Sequence, residues 1–385
     1  MDKRHHWHSG NSVRLLIDGD RFIPEMLSVI EQSRYTLLLE FYMVSSGSVA
    51  NSFIGALIRA AERGVQVCWL IDDFGSRRLN EADVQRLIGS GVELQRFNPL
   101  KLLKFERNFA RDHRKVLIAD QSIGFIGGTG ISDEYLHRDP LKKDTQDRQA
   151  WHEVMFRVEG AVLDDMVEMF RRQWLRSGGS ALNVAATIRD GKGLGNWVAG
   201  NAMARLAVSD GAQIKDIKQS FVRHISNAGD RVWLATAYFL PSFSVRRSLR
   251  KAALRGVDVR LIVAGPCTDH PWVYHASKRY YRRLLKSGVR IYEYQPSFLH
   301  TKLGLCDQWL SAGSCNLDHW NLRWNLEANI EVVEPELVSQ VEQLLSHDMQ
   351  QSEEILYRKW SARPWRIKLK ELLWSLVCQL LLKIR

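Results

Sequence analysis

Two stretches decide the reading of this chain: His113-Arg114-Lys115-Val116-Leu117-Ile118-Ala119-Asp120 and His300-Thr301-Lys302-Leu303-Gly304-Leu305-Cys306-Asp307. Both are His-x-Lys-x-x-x-x-Asp. Each is followed by a turn of small residues: Gly127-Gly128 after six intervening residues, and Gly313-Ser314-Cys315-Asn316 after five. The apolar run between Lys and Asp reads as a buried strand. Side chains two apart on a strand share a face, so each copy sets an imidazole beside a fixed positive charge. One copy alone is compatible with an ordinary half-exposed strand. Two copies in matched places argue for two faces that grip a phosphodiester from both sides.

The matching extends beyond the motifs. Ala60-Ala61-Glu62-Arg63-Gly64-Val65-Gln66-Val67 is echoed by Ala252-Ala253-Leu254-Arg255-Gly256-Val257-Asp258-Val259, and Ser90-Gly91-Val92 by Ser287-Gly288-Val289. An offset of about 190 residues marks a duplicated domain rather than a solenoid. Within a half, apolar runs at 36–40 and 65–71 predict buried strands, and 49–63 has helical spacing with Gly64 at the C-cap position. Strand–helix–strand alternation predicts an α/β fold: two homologous halves, each a mainly parallel sheet flanked by helices, with the site at their interface. The expected organisation is a tail over 1–12, a first repeat over 13–175, a linker over 176–200, a second repeat over 201–345 and a basic amphipathic tail over 346–385. Gly191, Gly193 and Gly195 in the linker lack the spacing and the preceding strand of a dinucleotide fingerprint, and no cofactor is expected.

The paired motifs resemble those of the phospholipase D superfamily at all six His, Lys and Asp positions. Longer strings are similar to the bacterial cardiolipin synthases, in particular their shorter B-like branch: Glu40-Phe41-Tyr42, Asp72-Asp73-Phe74-Gly75-Ser76, Ala237-Tyr238-Phe239 and Asn325-Leu326-Glu327-Ala328-Asn329. The resemblance runs from about Val13 to Glu334, and it implies phosphatidyl transfer between phospholipids through a phosphohistidine.

The chemistry fits that expectation residue by residue. A phosphodiester's oxygens repel nucleophiles, so attack requires charge neutralisation, a good nucleophile and a proton for the leaving alkoxide. Lys115 and Lys302 supply the charge. One neutral imidazole attacks phosphorus, and the other, protonated, serves the leaving oxygen. The residues do not decide which histidine does which; the resemblance implies that His113 is the nucleophile and His300 the acid. Glu153 and Glu327 open equivalent segments of the two halves and are read as the carboxylates that orient the imidazoles. Asp120 and Asp307 end their strands, where a catalytic role and a brace for the turn both fit. Asn316, Ser314 and Gly128 are the expected phosphate-binding positions. The first turn departs from the family pattern, with Gly130 where related enzymes carry Asn. No Cys/His or carboxylate cluster has metal-ligand spacing, and no metal is expected.

A net charge of +11 calls for an anionic partner, and both nucleic acid and an acidic membrane surface satisfy it. Two segments favour anionic phospholipid over nucleic acid. An insert over 101–111, between Pro99 and His113, mixes basic and large apolar residues. The stretch over 365–385 reads as a helix with Lys368, Glu371, Ser375, Gln379 and Lys383 on one stripe and apolar residues elsewhere, suited to lie in an interface. Its uncharged run is half the length of a span, and the uncharged run over 41–58 is too polar for one. The 13 tryptophans fit an interface or a bulky core. The cysteines, Cys68, Cys267, Cys306, Cys315 and Cys378, read as free thiols in a reducing compartment, and the His5-His6-Trp7-His8 start reads as a solvated tail with no secretory signal. The resulting expectation is phosphatidylglycerol as substrate and a peripheral place on the cytoplasmic face of the bacterial inner membrane. The alternatives are hydrolysis by a phospholipase D or nuclease of the same superfamily, and a binding protein with an inactive site.

Overall fold

A computed structural model describes residues 5–100, 110–137, 149–182, 200–210, 214–318, 324–366, 369, 371, 373 and 374. The first half runs β1 (His8–Ile17), α1 (Gly19–Gln32), β2 (Thr36–Phe41), α2 (Ser48–Glu62), β3 (Gln66–Asp72), α3 (Glu81–Gly89), β4 (Glu93–Phe97), β5 (Lys115–Ala119), β6 (Ile123–Gly127), β7 (Val154–Glu159) and α4 (Val162–Arg176). The second repeats the same order: β8 (Ala202–Asp210), the short β9 (Ile214–Lys215), α5 (Asp216–Asn227), β10 (Arg231–Thr236), α6 (Phe243–Leu254), β11 (Asp258–Ala264), α7 (Pro271–Leu285), β12 (Arg290–Tyr294), β13 (Lys302–Cys306), β14 (Trp309–Gly313), β15 (Leu326–Val333) and α8 (Pro335–Gln350), then β16 (Ser352–Glu354) and α9 (Tyr357–Ser361).

The predicted strands and helix appear within a residue or two of their expected bounds, as β2, β3 and α2. The echoed glycines explain themselves. Gly64 and Gly256 follow α2 and α6 with φ of 88° and 93°, the left-handed conformation that ends a helix and that glycine adopts without a side-chain clash.

The strands form a single 16-stranded sheet ordered β16-β12-β11-β10-β13-β14-β15-β8-β1-β7-β6-β5-β2-β3-β4, with β9 on β8. The order mirrors itself about the β1–β8 pair, as two copies related by a pseudo-twofold axis must. The sheet is less parallel than the alternation implied. Among the described residues four pairings are parallel, and all four lie in the outer strands of the halves; the other eleven are antiparallel. The cause is connection length. Helical crossovers join β2, β3 and β4, whereas β5 and β6 are joined by the tight turn Asp120–Ser122, which permits only an antiparallel hairpin.

Apolar side chains fill both faces. Phe22, Phe53, Ile54 and Trp69 pack under α1–α3, and Phe221, Leu234, Val245 and Tyr281 under α5–α7. On the opposite face Phe170 and Trp174 of α4 and Val341 and Leu345 of α8 belong to one continuous core that crosses between the halves. That shared core fixes the halves relative to each other, which a two-sided site requires.

Two boundaries shift. Residues 346–361 finish α8, pair β16 with β12 and form α9, so they belong to the fold and not to a tail. At the other end β1 begins at His8, and His5 and His8 both bond the Asp165 carboxylate at 3.0 Å, so that start is packed on α4 rather than solvated. The insert over 101–111 apart from Ala110 and Arg111, residues 183–199 of the linker, Cys378 and most of 365–385 lie outside the described residues. Among the described residues no helix is long and apolar enough to cross a membrane.

Candidate active site

The two motifs occupy mirror positions. Lys115 opens β5 and Lys302 opens β13, each strand buried throughout, and each histidine stands two residues earlier at the strand mouth. Both lysine ammoniums fold back on the preceding histidine: Lys115 Nζ donates to the His113 carbonyl, and Lys302 Nζ to the His300 carbonyl.

Each histidine is locked to the opposite half. His113 N–H donates to the Leu326 carbonyl at 2.9 Å and Leu326 N–H to the Arg111 carbonyl at 2.9 Å. The mirror pair runs from His300 N–H to the His152 carbonyl at 2.8 Å and from His152 N–H to the Phe298 carbonyl at 3.0 Å. These main-chain bridges bring the next residue, a glutamate, onto the imidazole. His113 Nδ1 lies 3.1 Å from Glu327 Oε2, and His300 Nδ1 lies 2.7 Å from Glu153 Oε2. Both glutamates are fully buried. A carboxylate on Nδ1 holds the proton there and leaves the Nε2 lone pair available for reaction.

The two ends are not electrostatically equal. Burial would push Glu153 up, but Lys302 Nζ at 3.2 Å and the His300 hydrogen bond outweigh it and hold the carboxyl below its ordinary value. Burial raises Glu327 to about 8, against the pull of Lys115 and the Ser314 hydroxyl. Burial and then the lysines lower both imidazoles, His300 to about 4 and His113 well below the usual range, so both are neutral. Burial also brings Lys115 down to about 7. An anionic phosphodiester between the halves would oppose these shifts, because it adds negative charge beside the imidazoles and ammoniums.

Asn316 is fully buried, and among the described residues neither its amide nitrogen nor its carbonyl oxygen has a hydrogen-bond partner. Buried amides are rarely left unpaired, so this side chain has donor and acceptor capacity to spare. In the first half, a Cβ on Gly130 would stand 2.8 Å from the Met43 carbonyl oxygen, so the main chain at Met43 takes the room that an asparagine would need. The buried amide is therefore present in the second half only.

Four expected positions are engaged within the protein, and the two aspartates take the brace rather than the catalytic place. The Asp120 carboxylate accepts from the main-chain N–H groups of Arg34, Tyr35 and Thr36 at 2.7–2.9 Å, and Asp307 does the same for Gly229, Asp230 and Arg231 at 2.9–3.1 Å. Both sit at φ near +50° at the far end of their strands, where they brace the turn away from the imidazoles. The Ser314 hydroxyl donates to Glu327, and its N–H donates to the Ala328 carbonyl, so its hydroxyl is engaged in holding the carboxylate. Gly128 is its mirror: a Cβ there would collide with the Glu153 carboxylate, so its smallness makes room for the orienting group.

Sequence reasoning missed the aromatic frame. Tyr42 meets the His113 ring edge-on at 4.7 Å. Trp151, Phe298 and Tyr135 surround His300 at 5.0, 5.4 and 5.8 Å, and the Tyr135 hydroxyl lies 3.4 Å from His300 Nδ1. These residues come from separate segments and carry no shared periodicity. The local signals were the place of Tyr42 in a quoted family-like string and the position of Trp151 and Phe298 beside residues already singled out.

The family described as "Cardiolipin synthase, PLD-like domain" matches residues 221–349. The chain is 34% identical to cardiolipin synthase A of Pseudomonas putida (strain W619) over 351 residues, covering 90% of this chain and 70% of the relative. It is 33% identical to cardiolipin synthase B of Salmonella typhi over 338 residues, covering 84% and 77%. Among solved structures, phosphatidylserine synthase of Haemophilus influenzae Rd KW20 shares the fold at a TM-score of 0.72, with 15% identity and 97% of each chain covered. Polyphosphate kinase of Porphyromonas gingivalis shares it at 0.60, with 16% identity, covering 90% of this chain and 49% of that one.

Proposed function

This chain belongs to the cardiolipin synthases of the phospholipase D superfamily and is a phosphatidyltransferase; on that footing we propose that it makes cardiolipin from phosphatidylglycerol in two displacements at phosphorus. The phosphodiester of a first lipid enters between the imidazoles, with Lys115, Lys302 and Asn316 on its oxygens. Its charge raises His300, which takes up a proton. His113 Nε2 attacks phosphorus, the bond to the glycerol headgroup oxygen breaks, and that oxygen leaves with the His300 proton. A hydroxyl of a second phosphatidylglycerol then gives its proton to His300 Nε2. Its oxygen bonds to phosphorus as the P–N bond to His113 breaks, yielding cardiolipin.

The observation that carries this reading is the crossed pairing of two buried, neutral imidazoles with glutamates of the opposite half, next to an unpartnered buried amide. Dry walls around His300 favour an alcohol over water in the second step, because water is excluded before the intermediate forms. The test is incubation of the full chain with acyl-labelled phosphatidylglycerol, with and without phosphatidylethanolamine, and identification of the products. Cardiolipin with released glycerol is the expected result; phosphatidic acid alone assigns hydrolysis instead.

The protein works at an anionic membrane surface in this reading. Trp365, Leu369 and Leu373 follow one another at helical spacing and are 68%, 45% and 55% exposed. Glu371, on the other side, is buried against Arg363, which anchors this segment and turns its apolar stripe outward. Such a stripe, followed in sequence by Lys383 and Arg385, fits peripheral attachment to the cytoplasmic face of the inner membrane.

A further inference from the structure

The cleft differs at its two ends. Beside His113, the turn after β3 packs on Tyr42 and carries the Arg77 guanidinium over the Phe74 ring at 4.0 Å. Beside His300, the aromatic wall continues outward from Phe298 to Tyr238 at 6.2 Å, to His270 at 5.5 Å and to the exposed Trp272 at 4.6 Å. A carboxylate is set into this wall. The Tyr238 hydroxyl lies 2.7 Å from both oxygens of Asp269, and His270 Nε2 lies 3.7 Å away. The Thr268 hydroxyl donates to the same carboxylate at 3.5 Å, and Asp269 is 27% exposed, with room to accept a further hydrogen bond; its charge is felt at His300, Lys302 and Tyr135. The two displacements make no use of it, and a negative charge here opposes binding of the phosphate.

We infer that Asp269, held by Tyr238, selects the alcohol by accepting a hydrogen bond from the second hydroxyl of a vicinal diol whose first hydroxyl reacts at phosphorus. This rests on the phosphatidyl-transfer reading above. Both the leaving and the entering alcohol exchange a proton with His300, so both pass along this wall. A glycerol headgroup offers adjacent hydroxyls: one gives its proton to His300 and bonds to phosphorus, and its neighbour keeps its proton and donates to Asp269. The carbon face of the diol lies on the Phe298 and Tyr238 rings. Water and simple alcohols lack the second donor and forgo this charge-assisted hydrogen bond, so the diol is favoured over them by the worth of that bond.

The test uses the full chain, labelled phosphatidylglycerol as donor, and 1,2-propanediol, 1-propanol and ethanolamine in pairwise competition. All acceptors draw on the same phosphatidyl-enzyme, so product ratios report the second step whatever happens to the first. The wild type is expected to prefer the vicinal diol to 1-propanol. Asp269→Asn should lower that preference about tenfold, the worth of one hydrogen bond to a charged group. Tyr238→Phe, which keeps the ring and frees the carboxylate, should lower it about threefold and serves if the first variant does not fold. Wild-type ratios in a folded variant overturn the inference. So does a larger loss toward ethanolamine than toward the diol, which assigns the carboxylate to an ammonium. If the wild type forms phosphatidic acid and no phosphatidyl-alcohol at all, the transfer reading itself falls, and this inference with it.

Discussion

His300, in the second half, holds its Nδ1 2.7 Å from the Glu153 carboxylate of the first half, and that same carboxylate lies 3.2 Å from Lys302 Nζ. Glu327 has the mirror relation to His113 but receives the Ser314 hydroxyl where Glu153 receives an ammonium. Replacing Glu153 therefore removes two charge-assisted bonds and strands a buried cation. Glu327, raised to about 8, carries a proton for much of the time at neutral pH, so an amide imitates it more closely. Glu153→Gln should cost about 10³–10⁴-fold in kcat/KM at pH 7 and Glu327→Gln about 10²-fold, by the scale of other orienting carboxylates. The Glu327→Gln deficit should grow as pH rises through about 8 and the wild-type carboxyl ionises. A reversed order in the two kcat/KM values at pH 7 would refute the asymmetry.

If His113 is the nucleophile, His300→Ala keeps the attacking group and loses the proton donor and acceptor. Labelled phosphatidylglycerol should then leave label on His113, detected by peptide mapping under alkaline conditions that preserve phosphohistidine. His113→Ala should leave none. Label at His300 would exchange the roles.

Asn316 predicts opposite effects on stability and activity. Its amide is buried without a partner among the described residues, so Asn316→Ala removes an uncompensated polar group and should leave thermal stability unchanged or raised by about 1 kcal/mol. The same variant should lose about 10²–10³-fold in kcat, as removal of one preorganised oxyanion donor does. Parallel loss of stability and activity would show that the side chain is a structural element.

His152 is the pH-dependent clamp between the halves. Its Nδ1 bonds Asp18 at 2.8 Å and its Nε2 lies 3.3 Å from Asp348 on α8, while its main chain holds His300. Burial alone would lower it, but the two carboxylates raise it to about 10. The folded state therefore binds more protons than the unfolded state between the ordinary histidine value near 6.5 and about 10. The stabilisation is complete below the lower limit and is lost as pH rises through the upper one. Denaturant unfolding should show stability declining across that window. His152→Gln should flatten the decline and cost about 3–5 kcal/mol at pH 7, the effect of breaking a buried pair from one side.

The exposed stripe predicts salt-sensitive lipid attachment. Trp365→Ser, Leu369→Ser and Leu373→Ser together should release the protein from anionic vesicles in co-sedimentation while leaving turnover of a soluble short-chain phospholipid within about twofold. Added salt should weaken wild-type binding by screening the basic residues. Unchanged co-sedimentation would move the membrane contact to another surface.

The sequence by itself determined the duplication, the outer strand–helix–strand units and the identity of the reacting side chains. Each of these is written in local terms: a repeated residue string, an apolar period, or a glycine at 64 and 256 that only a helix end requires. It also left Asp120 and Asp307 open between brace and catalyst, because a carboxylate after a strand has the same residue type in either role. What the tertiary structure alone decided is who pairs with whom. His113 and Glu327 are 214 residues apart, and no period or spacing links them; they meet because the mirrored halves dock along β1 and β8 and cross-bridge their main chains. The same docking commits Ser314 to Glu327, places Met43 against Gly130, and builds a wall of rings around His300 from four separate segments. Local sequence reports propensity and burial period, whereas the charge state and partner of a buried group depend on every surface that closes over it, and those surfaces exist only once the halves are packed.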